Sequence, residues 1–186
     1  MQVFIKNMVC NRCISAVEGI FNQLEISIDD IKLGEVNTKN SISDEELSLL
    51  ETNLKDLGFE RIRDSAHQLN DKIKTFIIQK ISDLDISENF VLSEFLSNNL
   101  HKDYSALSKN FSQNENFTLE QYFILQKIEK VKELLLYNEL TLTEIAGKLG
   151  YKSVQHLSTQ FKNNTGFTPT EFKKAKDHNR IALDEL

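Results

Sequence analysis

Apolar residues change their spacing several times along the chain, and each change marks an element. Gln2 to Lys6 alternates polar and apolar positions with the period of a half-buried strand. Beyond Cys13 the period lengthens, and Ile14, Val17, Ile20, Phe21 and Leu24 fall on one side of a helix. Strands follow near Ile26 to Leu33 and Gly34 to Thr38, then a helix from about Ser43 to Leu57 and a strand at Phe59 to Ile62. Ser43 with Glu46 is a capping-box start, and Gly58 is a helix stop. Residues 1–64 thus read as βαββαβ. Leu69, Ile73, Phe76, Ile77, Ile81 and Leu84 then predict a connecting helix over 65–84. Its apolar face needs a cover, either the domain that follows or the same helix of a second chain.

Residues 85–178 read as helices throughout. Val91, Leu92, Phe95 and Leu96 form one apolar face, and Leu107 and Phe111 another. Tyr122, Leu125, Ile128, Val131 and Leu135 predict a long helix from Leu119 to Leu136. Ile145, Ala146 and Leu149, then Val154, Leu157 and Phe161, define two short helices joined by a tight turn at Gly150. Ala146 is small where two helices cross closely, and Gly150 supplies the left-handed backbone that a Cβ opposes. Helices joined in this way form a helix-turn-helix, which sets its second helix into the DNA major groove.

Gln126 to Leu135, Leu142 to Gly150, Phe161 to Gly166, Pro169 and Phe172 follow one another in an order and spacing that resemble the C-terminal half of an AraC-family DNA-binding domain. The resemblance implies a second motif upstream of a long linking helix, with double-stranded DNA as the partner. Val91 to Phe111 offers that motif with departures: Ser97 replaces the small Ala, no Gly marks the turn, and Leu100 to Tyr104 is a residue or two long. If Leu157 and Phe161 face the core, Lys152, Ser153, Gln155, His156, Thr159 and Gln160 are left available to the groove. Gln155 can bond an adenine edge, and Thr159 can offer a hydroxyl or a methyl to thymine. In the resembled family the positions matching Gln155 and Thr159 point at bases, and the same alignment brings in Ser105, Ser108 and Lys109 upstream.

The front segment carries different chemistry. Met8, Cys10 and Cys13 form M-x-C-x-x-C at the first strand-to-helix turn, and Leu57-Gly58-Phe59 closes the segment. In this βαββαβ order they resemble a heavy-metal-associated domain, which implies a ferredoxin-like fold and Cys10 and Cys13 as metal ligands. A helix start and nearby Arg12 favour the thiolate form. Soft sulfur selects Cu(I) or another thiophilic ion, and two ligands suit near-linear Cu(I) better than structural zinc. Met8 is expected beneath the loop rather than on a metal. A thioredoxin-like pair is set aside, since the segment is short, Trp is absent and Pro169 is the only proline. A packing or dimerising module with incidental thiols stays open beside the metal reading.

Charge changes the picture once. The chain carries net −6, which by itself argues against nucleic acid. Between 127 and 180, however, ten Lys or Arg stand against six Asp or Glu, whereas 1–76 and 77–126 are each net −4. The cations thus gather around the second motif, and modest salt dependence is expected. No phosphate loop, Gly-x-Ser-x-Gly or paired His and carboxylate at metal spacing is present, so no enzyme is expected. No apolar run spans a bilayer and the N-terminus leads straight into a strand, so a cytoplasmic, bacterial-type protein without membrane contact is expected. The tail beyond Arg180 is expected to fray. The fold class is therefore α+β: a ferredoxin-like βαββαβ domain, then an all-α double helix-turn-helix domain. A sequence-specific transcription regulator, responsive to a metal or built with a partner-binding front domain, is expected ahead of a metal carrier or chaperone; a homodimer is left open.

Overall fold

The computed structural model describes residues 1–63 and 65–174. Its elements run β1 (Gln2–Lys6), α1 (Asn11–Gln23), β2 (Ile28–Lys32), β3 (Glu35–Thr38), α2 (Asp44–Asp56), β4 (Glu60–Ile62), α3 (Ser65–Ser82), α4 (Leu92–Leu100), α5 (Tyr104–Asn114), α6 (Leu119–Tyr137), α7 (Leu142–Lys148), α8 (Val154–Thr165) and α9 (Pro169–Lys174). Two compact units divide the chain, Met1–Phe76 and Ile77–Leu186, so the boundary falls inside α3. The expected domain end at 178, the cations Lys176 and Arg180, and the expected fraying of the tail lie outside the described residues.

In the first unit β1, β2, β3 and β4 form an antiparallel sheet in the order β2-β3-β1-β4. Val3 pairs with Val36, so both project to the same face, and with Ile5 they meet Val17, Phe21, Leu50 and Leu54 of the two helices. Met8 is fully buried in that core. The predicted capping box forms: Ser43 Oγ accepts from the Glu46 N–H, and Glu46 accepts in return from the Ser43 N–H. Gly58, at φ +81°, ends the turn beyond α2.

The opposite face of the sheet is not bare. Phe4 and Glu35 project to it, and α3 answers with Lys72, whose Nζ lies 3.4 Å from Glu35 and 5.3 Å from the Phe4 ring centre. Asp71 accepts from the Asn7 N–H at 3.4 Å. Gln2 and Asn37 also donate to Glu35, and although burial works against its ionisation, these partners hold its carboxyl below the ordinary value. The first half of the expected connecting helix is therefore covered by its own unit.

In the second unit α6 touches α5, α7, α8 and α9. It is buried on more than one side, with Tyr122, Gln126, Ile128, Val131 and Leu135 all sequestered. A capping box starts it, Thr118 with Gln121, and left-handed Asn138 ends it. Leu96, Leu107 and Phe111 join α4 and α5 to this core, with the Phe111 ring 5.5 Å from Tyr122. One predicted position fails. Val91 is the N-cap of α4 and 45% exposed, because the helix begins one residue later and turns that side chain outward. The turn after α4 is made without glycine: His101 takes the left-handed conformation at φ +51°.

Candidate nucleic-acid interface

Two short helices meet at Gly150 under tight constraint. Ile145, Ala146 and Leu149 are buried on α7 and its C-cap, and Leu157 and Phe161 on α8, where Phe161 meets Phe172 of α9 edge-on at 5.5 Å. Gly150 stands at φ +67°, and a Cβ there would lie 2.7 Å from both Ile86 Cγ2 and Ser87 O. The residues before α4 thus close over the turn, and Ile86 bridges Leu149 in parallel. Glycine answers two demands at once, a left-handed backbone and a close approach.

Lys127 fastens the turn from below. Its Nζ donates to Leu149 O at 3.0 Å and lies 3.8 Å from the centre of the Tyr151 ring. Burial lowers its pKa to about 8. Tyr151 in turn donates from its hydroxyl to Gln160 Oε1 at 2.8 Å, and its ring receives the edge of His156. Burial pushes the Tyr151 phenol up.

Of the expected contact residues around α8, Lys152, Ser153, Gln155, His156 and Thr159 are exposed, and Gln160 is half-buried. Ser153 is the N-cap, and its Oγ accepts from the His156 N–H at 3.1 Å. Gln160 is held by Tyr151, so it is only partly available. Upstream, Ser105 and Lys109 are exposed on α5 and Ser108 is half-buried. Tyr104, at the start of that helix, donates to Glu120 at 2.5 Å; burial and that carboxylate together push its phenol up.

Residues 96–175 match the family model described as a helix-turn-helix domain. This part of the chain is a helix-turn-helix domain. An uncharacterized HTH-type transcriptional regulator from Pseudoalteromonas carrageenovora is 34% identical over 70 residues, covering 38% of this chain and 41% of that protein. The xylose operon regulatory protein of Haemophilus influenzae is 33% identical over 69 residues, covering 37% of this chain and 18% of its own length. The chain therefore spans less than half the length of either relative. Among solved structures, the C-terminal domain of AraT, a response regulator from Geobacillus stearothermophilus, shares the fold with a TM-score of 0.51 and 24% identity, over 61% of this chain and 88% of that one.

The helix-turn-helix domain places its cations differently from the expectation. Lys127 and Lys132 are buried, Lys132 against Glu129 at 2.5 Å, and half-buried Lys130 pairs with Glu133 at 2.7 Å. These three belong to the core of α6 and not to a phosphate-binding surface, because that helix is enclosed on several sides. Lys148, Lys152, Lys162, Lys173 and Lys174 remain exposed among the described residues. Sequence reasoning also passed over Tyr151 and α9, whose start carries the same cap signal as other helices: Thr168 and Glu171 bond reciprocally.

In the other unit Cys10 is the N-cap of α1, and its Sγ lies 3.5 Å from that of Cys13. Both thiols are free and half-buried. Burial opposes ionisation of Cys10, but hydrogen bonds from Cys13 and Arg12 outweigh it and bring the thiol below its ordinary value. Burial pushes the Cys13 thiol up, so only one of the pair is predisposed to ionise, where both were expected to be. Among the described residues no group of three or more His, Cys, Asp or Glu could hold a metal ion, and no helix is long and apolar enough to cross a membrane.

Proposed function

We propose that the chain is a sequence-specific DNA-binding transcription regulator that reads DNA with α8 and, upstream, with α5. The observation that carries this reading is the mounting of α8: Leu157 and Phe161 anchor it while Gln155 and Thr159 face outward from its first turns. Gln155 is assigned to an adenine edge, Thr159 to thymine, and Lys152, Ser153 and His156 to the same face; Ser105, Ser108 and Lys109 serve the first motif. The test is fluorescence anisotropy on the DNA upstream of its own gene against a scrambled duplex. Gln155→Ala should reduce the preference for one base pair by roughly 5- to 150-fold, the equivalent of about 1–3 kcal/mol. Equal affinity of the unaltered protein for both duplexes would overturn the reading.

A finer reading gives the front unit a ferredoxin-like, heavy-metal-associated identity and a sensing role. The order β2-β3-β1-β4 and the cysteine pair support it. Thiolates about 2.3 Å from one ion sit about 3.8 Å apart around a tetrahedral centre and about 4.6 Å apart around a near-linear one, so the pair at 3.5 Å must open by about 1 Å to hold Cu(I) in near-linear coordination. Cys10 and Cys13 would hold Cu(I) or a similar ion, which supplies a charge and a cross-link at the start of α1. In the Cys10→Ser, Cys13→Ser double variant the fold should persist while any copper effect on DNA affinity vanishes. A copper effect that survives the substitution would remove the thiols from the account. If copper has no effect on the unaltered protein, the front unit is a partner-binding or dimerising module.

A further inference from the structure

A cleft of about 550 Å³ opens beside α8 and is lined by the α5–α6 connection, the first half of α6 and one side of α8. Its lining carries the side-chain amides of Asn116, Gln121, Gln160, Asn163 and Asn164, the last already donating to Gln160 O at 2.7 Å, beside apolar Phe117 and Ile124. Two of these amides are oriented. Gln121 Oε1 accepts from the Thr118 N–H at 2.9 Å, and Gln160 Oε1 accepts from the Tyr151 hydroxyl at 2.8 Å. With the carbonyl end taken, each amide has its two N–H donors left for a ligand. No Lys, Arg, Asp or Glu lines the cleft among the described residues. The amides that line it are neutral donors.

His156 and Thr159 belong both to this cleft and to the outward face of α8. Whatever α8 enters must therefore pass beside the amides. A helix seated in a major groove is flanked by a sugar-phosphate strand, and phosphate oxygens are acceptors that side-chain amides bind directly. We propose that this cleft seats a phosphodiester segment flanking the groove that α8 enters, held by neutral amide donors in place of lysines. The inference rests on the DNA-binding reading of α8. It also accounts for how a domain that buries Lys127 and Lys132 grips a polyanion. Amide contacts neutralise no phosphate and release no counterions, so they add affinity without steepening the salt dependence. They carry no base information, so they act alike on every sequence.

The experiment is an anisotropy titration of the full chain over a series of salt concentrations, on the specific and the scrambled duplex. Asn116→Ala with Asn163→Ala, two exposed positions, should weaken binding about 10-fold on both duplexes with the salt slope unchanged. Gln160→Glu keeps an acceptor for Tyr151 and replaces the outward donors by a carboxylate, so it should weaken binding further. Methylphosphonate at the flanking phosphates should reproduce the loss in the unaltered protein and add nothing to the asparagine variant. Unchanged affinity in both variants would overturn the proposal and leave the cleft to a small acceptor-rich molecule. A loss confined to the specific duplex would also overturn it, by making the cleft a reader of bases. Failure of the unaltered protein to prefer its own DNA would instead bring down the reading of α8, and this inference with it.

Discussion

Replacing Gly150 by alanine separates backbone strain from steric contact at the centre of the second motif. A Cβ in left-handed backbone costs roughly 1–2 kcal/mol. The same Cβ would stand 2.7 Å from Ser87 O and from Ile86 Cγ2, and 3.1 Å from Ile86 O. Two of those atoms are backbone oxygens, which cannot rotate aside, so the covering segment must move, at about 1–3 kcal/mol more. The expected loss is about 3 kcal/mol, or a urea midpoint lower by about 1–3 M. Gly166→Ala is the internal control. Its φ is +81° with nothing within 4 Å, so only the backbone part of the loss should appear. Gly147→Ala, in open space within α7, should stabilise by about 0.8–1 kcal/mol through helix propensity. Tyrosine fluorescence is the readout, since the chain has no Trp and its four tyrosines, Tyr104, Tyr122, Tyr137 and Tyr151, all lie in the second unit. If Gly150→Ala loses no more than Gly166→Ala, the closure by Ile86 and Ser87 contributes nothing and the reasoning fails.

Lys127 supplies a pH signature. Its pKa is lowered to about 8 by burial, against about 10.4 in an unfolded chain. Between those values the unfolded state binds more protons, so stability rises with pH across the window and is lost as pH falls through 8. The gain is at most about 3 kcal/mol, reduced because Leu149 O and the Tyr151 ring favour the charged form. Denaturation followed by circular dichroism from pH 7.5 to 10.5 should show a rise in the unaltered protein that Lys127→Met flattens; parallel curves would contradict it. Thr118→Ala removes the acceptor for the Gln121 N–H and should cost about 1 kcal/mol, lowering the melting temperature by roughly 4–8 °C. An unchanged melt would mean that α6 is held by packing alone.

What could be read in advance followed from residue types with a single use. Gly150 and Ala146 can do few things at their spacing, and they do them here. The outward set on α8 also stands where its period puts it, apart from Gln160, whose tie to Tyr151 reaches across the turn between the helices and leaves no local mark. The turn after α4 was harder, because His101 is one of several residue types that tolerate left-handed backbone and carries no signal of its own. Lys127 and Lys132 count as surface cations by type; only the convergence of several helices on α6 buries them. The covering of the first half of α3 depends on Phe4 and Glu35, which lie more than thirty residues away and on the face of the sheet that alternation makes the less apolar.

The parallel bridge between Ile86 and Leu149 has a practical corollary. The family match begins at residue 96, and a fragment trimmed to that edge would discard Ile86 and Ser87. Gly150 would then lose the atoms that close over it, and the Ile86 N–H would no longer reach Lys148 O, to which it donates at 3.0 Å. The second motif would keep its own sequence intact and still be missing part of its wall. By this geometry the working boundary of the domain lies at or before Leu84, ahead of both motifs, and the connecting segment is as much a component of the second motif as the turn it covers.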